Sequence, residues 1–171
     1  MIIVSSGIIS AQTMRNNLIE LYKVDQADRK NPKLLADFGK IVERDKSRRK
    51  EVRNILAKKK RFTAKEYYAM AMIFQHGTTI THYRLALRYA NKSRVLGYEE
   101  EKWLTAAATD RLLMKQGKLQ KYGTQFRKKN AKSKWRLYPV DPRTTDEERA
   151  KFNVPSLHEA LLNEKELNSK R

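Results

Sequence analysis

Apolar positions recur along most of this chain with the period of a helix. Met14, Leu18, Leu21 and Tyr22 fall on one face, so a first helix is expected over about Ala11 to Arg29. Asn31-Pro32 should close it, because proline disfavours the helical region for the residue before it. The short apolar stretch Leu34 to Phe38 is expected to pack on that helix as a half-turn. A second helix is expected over about Ile41 to Lys59, with Ile41, Val42, Val52, Ile55 and Leu56 apolar and charges filling the gap, so that most of its face is wet. Lys58 to Arg61 then sit where cations complement a helix C-terminus.

Thr63 and Glu66 form a capping box ahead of a third helix that runs to about His76, with Gly77 as its stop. Tyr67, Ala69, Met70, Ala71, Met72, Ile73 and Phe74 make it apolar nearly all round, the pattern of a central, buried helix. A fourth helix is expected over about Thr81 to Leu96 and a fifth over about Glu99 to Gln116, closed by Gly97 and Gly117. Glu99, Glu100 and Glu101 suit the N-terminal end of the fifth. Short connections between the last three helices imply antiparallel neighbours.

From Lys118 to Asp141 the helical period fails, and Trp135 to Tyr138 has the composition of a short strand. Thr145 with Glu148, and Ser156 with Glu159, are two more capping boxes, opening a short helix through Phe152 and a last one from Leu157 to about Leu167. The expectation is a mostly all-α protein: an antiparallel bundle of about five to seven helices with an irregular loop region near 118–142. Residues 11–167 form its single domain and 168–171 a frayed tail. Residues 1–10 read as an N-terminal extension or the end of a truncated export signal, an apolar run followed by small residues without a basic start. Both a cytoplasmic and an exported setting therefore stay open, and no stretch reaches the length of a membrane span.

Charge changes the picture more than composition does. The 171 residues carry a net charge of +19, and 33% of them are charged. From Arg111 to Arg136 there are ten Lys/Arg and no Asp or Glu. Such a field attracts phosphates, anionic lipid headgroups or acidic proteins, although a lysine-rich solvated surface also accounts for it. Cysteine is absent, which excludes disulfides, thiolate zinc sites and cysteine nucleophiles. The three histidines lack close ligand spacing and no phosphate-loop or metalloprotease motif occurs, so no metal site is expected; a cofactor stays an open question at this point.

Among single residues, Asp110 is the most informative, since an acid among Ala and Leu on a helix is costly unless paired or hydrogen-bonded. Asp25 and Arg29, four apart, can pair on one helix face, and His76 ends the most buried helix. The loop Gln120-Lys121-Tyr122-Gly123-Thr124-Gln125 gathers amides, a phenol and a hydroxyl that either orient a ligand or satisfy an irregular backbone.

Four segments in this order resemble a group of uncharacterised, mostly bacterial helical proteins: Asp25-Gln26-Ala27-Asp28-Arg29, Ile73-Phe74-Gln75-His76, Thr109-Asp110-Arg111-Leu112 before Gly117, and Gln120 to Gln125. Pro139-Val140-Asp141-Pro142, Arg149 and Val154-Pro155-Ser156-Leu157 are similar too, so the resemblance covers roughly Met14 to Leu162. Members of the group often carry an export signal before the first helix. This chain departs from it in its basic charge and in Gln75-His76-Gly77, where relatives often have Gln-His-Ala. The resemblance implies an architecture and a residue set rather than a reaction, and leaves open whether the protein is an enzyme.

That residue set suggests a polar pocket for a small ligand. His76 would take or give a proton with Asp25 or Asp110 orienting it, and Arg29, Gln75, Arg111, Gln120, Tyr122, Thr124 and Gln125 would hold the ligand. The competing expectation is a satisfied polar network that locks the loop to the bundle. A different reading takes Arg127, Lys128, Lys129, Lys132, Lys134, Trp135 and Arg136 as a contact for nucleic acid or an anionic surface, because cations and aromatics alternate there. A protein-interaction module is a third.

Overall fold

The computed structural model describes residues 17–98, 102–130 and 132–169. Eight helices and one two-stranded ribbon lie among these residues, a mostly α-helical bundle. In chain order they are α1 (Leu18–Asp28), α2 (Pro32–Ala36), α3 (Phe38–Lys58), α4 (Ala64–Gln75), α5 (Ile80–Val95), α6 (Lys102–Lys115), β1 (Phe126–Arg127), β2 (Arg136–Leu137), α7 (Asp146–Ala150) and α8 (Leu157–Ser169). No helix among the described residues is long and apolar enough to cross a membrane. The expected opening segment, the first turns of the first helix and the Glu99–Glu101 cluster lie outside the described residues.

Helix α4 is the axis of the bundle and packs against α1, α3, α5 and α6. Its sequence dictates that place: Ala69, Met70, Ala71, Ile73, Phe74 and Gln75 are all buried, so no broad face is left for water. Small residues at Ala69, Ala71, Ala86, Ala90 and Ala108 let Leu18, Val52, Phe74 and Leu104 interdigitate in one core. Tyr67 stacks on Tyr89 at 6.0 Å, and Phe74 tilts against the same ring at 5.8 Å.

The local signals for helix ends are realised. Thr63 with Glu66 and Thr145 with Glu148 each make both bonds of a capping box. Ser156 and Glu159 do the same, with the Ser156 backbone N–H donating to Glu159 at 2.8 Å and the Glu159 N–H to Ser156 at 3.2 Å. Asn31, expected as a stop, also starts the next helix, accepting from the amides of Lys33 and Leu34. After α5 and α6 the backbone bonds of a Schellman end run from Tyr98 to Ser93 and from Lys118 to Leu113.

Gly77 differs from the expected glycine stop. It has no positive φ; a Cβ there would lie 2.3 Å from Cβ of His82, so the glycine is needed for the close approach of the α4–α5 turn.

Two further expectations change. The α3 face read as wet buries Asp45, Arg48 and Arg49 beside Ile41, Val52 and Ile55. The tail read as frayed is tied at Asn168, whose side chain accepts from the Trp135 amide at 2.8 Å and donates to the Trp135 carbonyl at 3.0 Å. Lys170 and Arg171 lie outside the described residues.

Candidate functional site

Two polar networks are built into the bundle. The first lies where α1 and α3 meet the C-terminal end of α4. Arg29 places one guanidinium nitrogen 3.0 Å from Asp25 and the other 2.9 Å from Asp45. Arg48 reaches Asp28 at 2.5 Å, Asp45 at 2.6 Å and Asp25 at 3.4 Å. Arg44 clasps Asp28 from outside with two bonds of 2.6 and 2.9 Å. Asp25, Asp28 and Asp45 thus balance Arg29, Arg44 and Arg48, charge for charge.

Asp28, Arg44, Asp45, Arg48 and Arg49 were not among the sequence candidates. Their signal was present: Ile41, Asp45, Arg48, Val52 and Ile55 recur at steps of four and three, so the charged pair stands on the apolar stripe itself. Charges in a core stripe need partners, and α1 supplies them.

His76 caps α4 inside this network, with Nε2 3.5 Å from Oδ2 of Asp25. Burial pushes the imidazole pKa down to about 2, helped by the positive charges of Arg29, Arg111, Arg48 and Arg49. Burial also pushes Asp25 up to about 6, against the pull of Arg29 and Arg48. In this protein it is therefore the carboxyl, and not the imidazole, that titrates nearest neutrality. Gln75, buried next to His76, donates to the Met72 sulfur at 3.0 Å, and its Oε1 has no partner among the described residues.

The second network fastens the 120–125 loop to α6. Oδ1 of Asp110 accepts the backbone amides of Lys121 at 2.7 Å and Tyr122 at 2.9 Å; Oδ2 accepts the Thr124 amide at 3.0 Å and its hydroxyl at 2.8 Å. Gln120, fully buried, donates to the carbonyls of Gln125 (3.2 Å) and Tyr138 (2.6 Å) and accepts from the Gln125 amide (3.0 Å). Tyr122 packs on Phe152 with ring centres 4.8 Å apart, and Arg149 holds the Tyr122 carbonyl at 3.1 Å. Asp110, Gln120, Tyr122 and Thr124 are committed to internal bonds and packing, which is how a loop with little secondary structure satisfies its backbone.

Arg111 joins the two networks. It donates to Oε1 of Gln125, whose own amide donates to Thr124 Oγ1 at 2.7 Å, and its charge reaches His76. The structure thus gathers Asp25, Arg29, His76 and Arg111 into one neighbourhood with Gln125 beside them, while the Asp110 carboxylate faces the loop.

Arg111 and Arg49 share a feature the balanced arginines lack. Arg49 is buried and donates to the His76 carbonyl at 3.1 Å; Arg111 is bonded to a neutral amide oxygen. Among the described residues neither makes an ion pair, and burial draws both below the ordinary arginine range. A cavity of about 320 Å³ opens beside Arg111, lined by Tyr83, Met114, Lys115 and Gln125. Fold and site together define a helical bundle carrying a buried arginine–aspartate cluster with surplus positive charge. The chain matches no family model, no curated protein and no solved structure.

Proposed function

We propose that the protein binds a small anionic ligand, with a carboxylate or phosphate group, at the seam between Arg111, Arg29 and His76. One observation carries the reading: two guanidiniums, the buried Arg49 and the half-buried Arg111, have only neutral oxygens as partners among the described residues. A buried, unneutralised cation is costly, and a bound anion removes that cost. The forked donors of arginine suit such a group, and Gln125 holds the Arg111 fork in place. His76 and Arg29 keep 18% and 22% of their side-chain surface open, so the seam can be reached from solvent.

An imidazole held near 2 is too weak a base for His76 to take a proton at neutral pH; of His76 and Asp25, only the Asp25 carboxyl, near 6, lies where a general base works best. We extend the same reading to the helical group that the chain resembles: its Asp-Gln-x-x-Arg, Gln-His and Asp-Arg segments supply the seam, and its Gln-x-Tyr-Gly-Thr-Gln loop supports it.

Thermal unfolding with inorganic phosphate, sulfate and citrate at constant ionic strength tests the proposal. An anion present at a hundredfold over its Kd should add about 2.7 kcal/mol of stability. Arg111→Met should remove most of that gain while still folding. No stabilisation beyond that of chloride, or equal stabilisation of the variant, would defeat the reading.

A further inference from the structure

The β1–β2 ribbon lies outside the seam and faces solvent with a different chemistry. Phe126 pairs with Leu137 and Arg127 with Arg136. Residues directly opposite in an antiparallel pair share a face, so this register sets two guanidiniums side by side, an arrangement that normally destabilises a ribbon. Arg127 lies over the Tyr138 ring at 4.6 Å and Arg136 pairs with Glu164 at 2.9 Å. Lys128 lies over the Trp135 ring at 4.5 Å. Beside them runs a groove of about 930 Å³ whose lining includes Arg127, Lys128, Lys129, Lys134 and Arg136 and no carboxylate.

The ribbon is tied to α8 through its backbone. Asn168 on α8 binds both backbone groups of Trp135, and Glu164 accepts the Leu137 amide at 2.6 Å. At the tip, Oδ1 of Asn130 accepts the amides of Lys132 and Ser133, each at 3.0 Å. A second groove of the molecule shows how cations look when the protein neutralises them itself: there Lys121 meets Glu148 at 3.5 Å and Arg143 meets Asp141 at 2.7 Å. On the ribbon, Lys129, Lys132 and Lys134 are exposed and form no ion pair among the described residues.

We infer that this ribbon is a binding site for single-stranded nucleic acid. The lysines and arginines follow the phosphates, and Trp135 and Tyr138, half-buried with Lys128 and Arg127 over their rings, supply the aromatic surface on which an unstacked base would stack by displacing or facing those cations. The polar tip argues against membrane insertion, which would place apolar side chains there. Two residue pairs make too short a ribbon to fill a duplex major groove, while single-strand binding needs only a basic groove and stacking rings.

The test is fluorescence anisotropy of a labelled oligothymidylate with the full chain and with the triple variant Lys129→Glu, Lys132→Glu, Lys134→Glu. Its positions are exposed, and circular dichroism and thermal unfolding check that it folds as the parent does. Loss of three phosphate contacts should weaken binding about 100-fold near 0.1 M salt and make the log–log salt slope shallower by about 2. In a Trp103→Phe background, emission comes from Trp135 alone and should be quenched by the oligonucleotide. Equal affinity of parent and triple variant, unquenched Trp135, or tighter binding to a duplex, to phosphatidylserine vesicles or to polyglutamate than to the single strand would each overturn the inference.

Discussion

Two aspartates, Asp25 and Asp110, are fully buried in this molecule, and their surroundings treat them differently. Asp110 accepts four hydrogen bonds from one loop, at 2.7 to 3.0 Å. Asp25 accepts one from Gln26 at 2.7 Å, meets Arg29 and Arg48 at 3.0 and 3.4 Å, and touches an unprotonated imidazole at 3.5 Å. Burial lifts its pKa to about 6. A carboxylate saturated by backbone amides is architecture. One whose partners are longer ion contacts and a neutral ring stays responsive to protons and to charge nearby.

The strongest way to break this contrast is Asp110→Ala. It orphans the amides of Lys121, Tyr122 and Thr124 at once, and should cost about 4 kcal/mol in chemical denaturation. A cost under about 1 kcal/mol, the worth of a single ordinary hydrogen bond, would show that the loop does not depend on it.

The next effects concern Asp25 and His76, which oppose one another. The folded pKa of Asp25 lies above its ordinary value, so its contribution is present at low pH and is lost as pH rises through about 6. The folded pKa of His76 lies below its ordinary value, so its contribution is present above pH 6.5 and is lost as pH falls toward 2. Between pH 6 and 4 each moves stability by about 3 kcal/mol in opposite directions. His76→Leu should therefore gain stability relative to the parent as pH falls across that window, and Asp25→Asn should lose it. Urea unfolding at pH 6, 5 and 4 reads both, and parallel profiles for parent and variants would contradict the assignment. Smaller still is Gly123→Ala, in the loop that Asp110 holds. Its φ of +84° disfavours any side chain, and the expected loss is about 1 kcal/mol in the same assay.

What the sequence revealed and what it hid divides along a physical line. Thr63, Thr145 and Ser156 announced helix starts because a capping box needs partners only three residues away. The place of α4 was legible because a helix apolar on every side has nowhere else to go. Asp110 stood out as a costly acid, yet its partners lie 11 to 14 residues along the chain, and spacing alone does not choose between a loop amide and a ligand. Arg48 and Asp45 were hidden by the habit of assigning charges to water; Asp28, the partner of Arg48, and Arg29, the partner of Asp45, come from α1 and its C-terminal end. The close approach of His82 to Gly77, and the tie from Asn168 to Trp135 across 33 residues, exist only after the chain has packed.

The central claim is that surplus arginine charge around a neutral His76 awaits an anion. Titration of the His76 ring carbons by NMR, with His82→Asn and His158→Asn variants to assign the signals, tests it most directly. In free protein the ring should stay neutral down to the acid limit of folding, and saturating phosphate at constant ionic strength should raise its pKa as the guanidinium field is neutralised. An imidazole that titrates near 6.5 and ignores phosphate would contradict the account.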